Sequence, residues 1–524
     1  VDEGVTGHRA PLRVGLVLDR RGIPRYTLEI LRQIRTTPSA SLALVIRDGR
    51  AERAGGWLFR AYARLDQRTA QIAGDPIEIL DLGEELAGVR EIPLAQLTTG
   101  EVDLLLDGRQ QARPDRQAAA AQFGWWWLRH GSGNPAGFRE IVTSDPLTRV
   151  ELQVARADGD LVLGHAVTAT MTGLSWARNR VAPYHSAVTL VVQKLRQVHE
   201  GGWTAAGATP VAATATAEVP NPSRGPGSFS TALWLMRTVT TKIARRLVRK
   251  KTVQVWQMAI RQANRGLLER GPGDAVDGFR WLRAPAGRQY ADPFLLRHEN
   301  RTWCFFEDIN EATGRGRISA AEVAGEDLRP AVPVLERPYH LSYPCVFTAE
   351  NALFMIPESS ANGAVELYRC VTFPGEWALE RILLRRTAVD SSICFRDGRY
   401  WLFATHVDKP SQAMELWLYS SESLAGEWRP HRQNPISLDV RNARGAGAIF
   451  VHDGRLFRPS QDCSIRYGRA FSLNEIVTLT PDRYEERPVV TVEPMPGFVA
   501  THSYARSGSI ELIDGCSRVP AARR

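Results

Sequence analysis

The chain has 524 residues, 44% of them hydrophobic and 23% charged, which is too long for one ordinary domain and predicts two or three. Its net charge of +9 suggests a nucleic-acid footprint until it is located. The run RTVTTKIARRLVRKK, residues 237–251, holds seven basic residues and no acid, so most of the excess is one segment rather than a surface, and no nucleic-acid partner is expected.

In chain order, residues 13–200 alternate strand and helix signals. RVGLVLD (13–19) reads as a buried strand, and IPRYTLEILRQIR as a helix with an apolar face of Tyr26, Leu28, Leu31 and Ile34. LALVIRD and EVDLLLDG (101–108) read as further strands. That order predicts an open α/β sheet as a first domain over 1–203. The segment TAAGATPVAATATAEVPNPSRGPGSFS, from about 204 to 230, is small, polar and proline-rich, and reads as a linker. In the basic run that follows, Leu233, Met236, Ile243 and Leu247 fall near helical spacing. Residues 204–251 are therefore expected to be linker plus an amphipathic basic helix, either solvated or in peripheral contact with an anionic membrane through 237–251.

Between Tyr290 and Gly515 the chain repeats one plan five times with a period of about fifty residues. The first strands open as ADPFLL at Ala291, SYPCVF at Ser342, DSSICF at Asp390, GAGAIF at Gly445 and THSYAR at Thr501. Their partners are WCFFED, LFMIPES, YWLFATH, LFRPSQD and IELIDG. A strand repeat of that length predicts a five-bladed β-propeller over 252–524. TVQVWQMAIR (252–261) has the alternation of a strand that would complete the last blade and close the ring. First strands line a propeller's channel, so Asp292, Tyr343, Asp390, Gly447 and His502 are expected to face one funnel.

The stretch 125–164, WWWLRHGSGNPAGFREIVTSDPLTRVELQVARADGDLVLG, resembles the catalytic region of the formyltransferase fold shared by methionyl-tRNA and sugar-nucleotide formyltransferases. The matching residues are His130, Ser132 and Pro135, then Asp145, Thr148 and Val150, then Asp158, with Asp160 as a rival alignment. The resemblance implies a formyltransferase-like domain in which His130 and Asp158 form an acid–base pair, acting on an amino sugar or nucleotide sugar. A folate one-carbon donor is needed only if that domain is active. The family's catalytic Asn falls on Leu128, which has no polar atom to stabilise an oxyanion.

The propeller, opening on ADP, resembles the furanosidase- and fructosidase-type glycoside hydrolases. With ADPF, FFED, SYP, M-x-P-E-S and R-P-x-Q-D-C in order, it also resembles the N-terminal region of plant glucosamine inositolphosphorylceramide transferase. These resemblances imply a carbohydrate or glyco-conjugate partner.

Glycosidic cleavage needs two flanking carboxyls, one protonated and one ionised. Asp292 is the expected base, Asp390 its tuning partner and Glu358, on apolar walls, the acid. Glu307, Tyr343, Arg458, Gln461, Asp462 and His502 are the expected sugar-binding groups. The readings left open are glycan processing in the funnel, formyl transfer at His130, and sugar binding without catalysis.

No Walker loop, G-x-G-x-x-G or metal-spaced Cys/His pair is present, and no residue is assigned to a metal, although propeller channels sometimes hold one cation among acids. All six cysteines lie in the propeller, apart from one another, as small buried residues of a reducing compartment. With no long apolar run and no signal-type core at the N-terminus, a cytoplasmic location is expected.

Overall fold

The computed structural model describes residues 9–19, 22–48, 55–72, 74–81, 85–109, 121–131, 137–170, 175–211, 226–248, 252–270, 275–407 and 413–520. The chain divides into two compact units, 1–248 and 249–524, with residues 409–413 grouped with the first.

The N-terminal unit is built on an eight-stranded sheet. Its order is Thr209–Pro210, Leu161–Ala169, Leu147–Ala155, Trp125–His130, Leu104–Asp107, Leu12–Leu18, Ala40–Arg47 and Arg90–Ile92. The five strands from Trp125–His130 onward are parallel, and the other three run antiparallel to their neighbours, so the open α/β sheet is mixed. Helix Arg25–Thr36 buries Tyr26, Leu28, Leu31 and Ile34 as its periodicity predicts, and adds Ile30. Helix Val181–Ala206 packs on it and on the two longest antiparallel strands. Helix Ser228–Val248, expected as part of a linker segment, contributes Trp234 to the apolar cluster of Phe59, Phe138, Ile141 and Trp176.

The second unit is the five-bladed β-propeller. Each blade is an antiparallel sheet, beginning with Arg288–His298, Ser342–Ala349, Ala388–Arg396, Arg444–Gly445 and Phe498–Ala500. Strand Thr252–Gln262 pairs with Ile510–Pro520 along its whole length and closes the ring, as the alternation of 252–261 predicts. Buried inside that pair, Arg261 forms an ion pair with Glu511 and donates to the carbonyls of Ala275 (3.0 Å) and Asp277 (2.6 Å). Aromatic second strands fill the spaces between blades: Phe294, Phe305, Tyr343 and Met355 share one cluster, and Trp401, Phe403, Leu418 and Leu456 another. All six cysteines are free, four of them buried.

One backbone feature sets the geometry of the funnel. In the first three blades the inner strand bulges at the same point, and Asp292, Tyr343 and Asp390 take left-handed φ values of 50°, 46° and 48°. A bulge re-aims the side chain at a conformational cost that the surrounding packing must offset. In blade four Gly447 takes φ 145°, where a Cβ would lie 2.1 Å from the carbonyl oxygen of Tyr504 in blade five. Blades four and five break the inner strand instead of bulging it: residues 446–449 and 501–503 lie outside any strand.

Candidate functional site

Beside the bulges, Ala291 pairs with Glu307, Ser342 with Glu358 and Val389 with Thr405, so acids on second strands stand next to acids on first strands. Two linked groups result.

The first centres on Asp514, a fully buried carboxylate in the second strand of blade five. It accepts from the backbone N–H groups of His502 (2.8 Å), Ser503 (3.0 Å) and Asp292 (3.2 Å), and its Oδ2 lies 2.6 Å from His502 Nδ1. Ser503 donates to Asp292 Oδ1 at 2.7 Å. The His502 ring is stacked under Trp256 of the closing strand, with centroids 4.1 Å apart. Burial alone would lower the His502 pKa, but Asp514 and Asp292 reverse the sign and bring it up to about 9. Asp292 is pushed up to about 6, chiefly by burial; His502 works against that shift, while Asp390 and Asp514 add to it. Glu307 is likewise pushed up to about 6 by burial, against a hydrogen bond from His340 Nε2 at 3.0 Å. His340 Nδ1 accepts from the Gly316 N–H at 3.0 Å, which fixes the proton on Nε2.

The second group centres on Asp390. Arg444 Nε and Gln461 Nε2 (2.9 Å) both donate to its Oδ2, yet burial, the largest influence, and the neighbouring Glu358 raise it to about 6. Arg444 is shared between the carboxyl groups of Asp390 and Glu358. Glu358 accepts from Ser360 (2.8 Å) and Ser342 (3.4 Å), and Arg444 stands 3.8 Å away. Its walls are polar, which corrects the expectation of an apolar pocket. Glu358 and Arg444 form the accessible rim at 13% exposure each, whereas Asp390 keeps 2%. Tyr467, 46% exposed, lies over the Arg444 guanidinium at 4.6 Å and edge-on to His502 at 5.2 Å, linking the two groups.

Of the residues singled out in the sequence, Asp292, Glu307, Glu358, Asp390, Gln461 and His502 converge. Tyr343 does not join them: it is buried, and its hydroxyl accepts from the Gly447 N–H at 2.7 Å and lies 2.9 Å from Ser392, locking three blades. Arg458 is held by Glu486 at 2.6 and 2.8 Å and by the Asn442 carbonyl. Asp462 pairs with Arg469 at 2.8 Å. These three are structural.

In the N-terminal unit His130 and Asp158 are apart. His130 pairs with Val150 and Trp125 with Ala155, so Asp158, beyond Ala155, lies at the opposite end of that strand pair. Five residues of strand put roughly 16 Å between the two ends. Burial pushes His130 down to about 4, and Tyr184 packs on its ring at 4.7 Å, while Asp158 pairs with Arg156 in an exposed turn. The expected acid–base pair is not assembled. Ser132 and Pro135 lie outside the described residues.

Asp514, Arg444, Tyr467, His340 and Trp256 were missed in the sequence. Asp514 alone carried a signal, as the acid of IELIDG, in step with FFED and MIPES. Asp292, His502 and Asp514 bring ligand atoms within 4.8 Å of one another and could hold a metal ion, but only if His502 gives up the Nδ1 proton it shares with Asp514.

Residues 284–497 match the family described as glucosamine inositolphosphorylceramide transferase 1, N-terminal. A rice relative of that name (Oryza sativa subsp. japonica) is 39% identical over 207 residues, covering 38% of this chain and 28% of the relative. One from Arabidopsis thaliana is 38% identical over 204 residues, covering 37% and 26%. The chain thus spans about a quarter of the length of these relatives. Among solved structures, Zg3597, a family 117 glycoside hydrolase of Zobellia galactanivorans, is similar at 11% identity and TM-score 0.33, over 50% of this chain and 91% of that one. RS223-Beta-xylosidase is similar at 16% identity and TM-score 0.31, over 41% and 81%.

The histidine has a consequence for stability. A folded pKa near 9 against an unfolded value near 6.5 means that this contribution is complete below pH 6.5 and is lost as pH rises to 9. Urea titrations should show the propeller losing up to about 3 kcal/mol over that window, and His502→Asn should flatten the loss.

Proposed function

We propose that the propeller funnel binds the sugar of a glyco-conjugate and that its carboxyls act on the glycosidic linkage. The observation carrying this reading is the gathering of two carboxyls, Glu358 and Asp390, on one arginine, Arg444, with Asp390 near enough to Asp292 to raise it. Glu358, at the rim, is the group placed to give a proton to a departing glycosidic oxygen. Asp292, charge-balanced by His502, serves as the base or the nucleophile. Tyr467 offers an exposed ring at the rim against which a sugar face can stack. Asp292, Glu307, Glu358, Asp390 and Asp514 outnumber the nearby cations Arg444 and His502, a balance that suits a neutral or ammonium-bearing sugar. The relatives' name carries the word glucosamine, which makes amino-sugar conjugates the first class to try.

A thermal-shift screen of the full chain tests this, using glucosamine-containing oligosaccharides and glycolipid headgroups, neutral oligosaccharides, nucleotide sugars and a folate. A ligand at a hundred times its Kd adds about 2.7 kcal/mol to the unit that binds it. Stabilisation by an amino-sugar conjugate, lost in Glu358→Gln, supports the reading. A response to folate or nucleotide sugar alone, abolished by His130→Ala, overturns it.

A further inference from the structure

Helix Ser228–Val248 carries two apolar stripes rather than one. The first, Thr231, Trp234, Leu235 and Thr238, faces the N-terminal unit, where Trp234 meets Tyr62 and Phe138 edge-on, both at 5.2 Å. The second, Phe229, Met236, Val239 and Ile243, recurs at spacings of seven, three and four and so lies on the opposite face. It is open to solvent, with Phe229 84% exposed, Met236 59% and Ile243 56%.

Charge flanks the open stripe: Arg237 and Lys242 are exposed on the helix, and the run 237–251 has seven cations and no acid to balance them. Among the described residues no helix is long and apolar enough to cross a membrane. A pinned helix with an apolar stripe between cations has the make-up of a segment that lies in the plane of a bilayer surface.

We propose that this helix docks the protein on an anionic phospholipid surface, its Phe229–Met236–Val239–Ile243 stripe entering the headgroup boundary and Arg237 and Lys242 facing acidic headgroups. The occupant is a lipid surface because an unbalanced cationic run complements acidic lipids, whereas a second copy of the helix would bring like charges together. The inference does not depend on the funnel's activity.

The full chain is sedimented with phosphatidylcholine vesicles, with and without phosphatidylserine, at rising salt. Binding should require phosphatidylserine, weaken with salt, and fall at least about tenfold in Met236→Glu/Ile243→Glu and in Arg237→Glu/Lys242→Glu. Both variants alter exposed side chains, so the circular dichroism and melting of the N-terminal unit should be unchanged, and this is checked first. Equal binding to neutral vesicles, no binding by the wild type, or full binding by either variant overturns the proposal. So does a wild-type dimer that Met236→Glu/Ile243→Glu dissociates, since a second copy would then cover the stripe.

Discussion

Asp514→Ala is expected to cost the propeller about 3–5 kcal/mol, the largest loss of stability from a single side chain in the funnel. Its carboxylate, fully buried, answers three backbone N–H groups from two blades and a charged imidazole. Truncation leaves those donors without a partner in a place water reaches poorly, and an unsatisfied buried donor costs about 1–3 kcal/mol. Asp514→Asn keeps the shape and an acceptor oxygen but loses the charge opposite His502, so an intermediate loss is expected. Chemical denaturation followed by tryptophan fluorescence reads both. A loss below about 1 kcal/mol for Asp514→Ala would mean that the network contributes nothing net.

The second large effect concerns turnover. On whichever glyco-conjugate stabilises the chain, Asp292→Asn and Glu358→Gln should each lower kcat/KM by about 10²–10⁴-fold, the range usual for a positioned acid or base. His130→Ala should leave it unchanged. Burial pushes both Asp292 and Asp390 up to about 6, and the chemistry needs one carboxyl ionised and one protonated. Activity should therefore trace a narrow bell about pH 6, whose limbs belong to the coupled set and to no single residue. Unaltered turnover in Asp292→Asn would remove the catalytic reading, and retained binding without turnover in the wild type would leave recognition alone.

The parts of this protein that were legible in its sequence are those that repeat. Five strand openings at a steady period gave the ring, and the alternation of 252–261 its closure, because a blade cannot bury both faces without its neighbours. Asp292 and Asp390, compact acids at repeat positions, come near one another from separate blades. Tyr343 shares their position and their left-handed φ, yet its long ring continues past the funnel into the contact between blades. Arg444, Tyr467 and His340 were not legible: Arg444 opens a two-residue strand of blade four, Tyr467 lies in a connection of the same blade and His340 in the link from blade one to blade two, and a repeat says nothing of where such stretches bring their side chains. The His130–Asp158 pair had a motif order in its favour, and strand register overruled it. Linear spacing cannot report which end of an antiparallel pair a residue occupies.

The closing strand also imposes an order on assembly. Arg261 and Glu511 are 250 positions apart, so a ribosome adding about 5–20 residues per second makes one roughly 10–50 s before the other. Until then the first strand of the ring has a bare hydrogen-bonding edge and a buried-type arginine without its acid, and no blade order can shut the circle. Contacts so distant in the chain make for slow folding with a late commitment step. A nascent chain stalled short of residue 510 would be an open arc, with sticky ends suited to chaperones or to pairing with another copy.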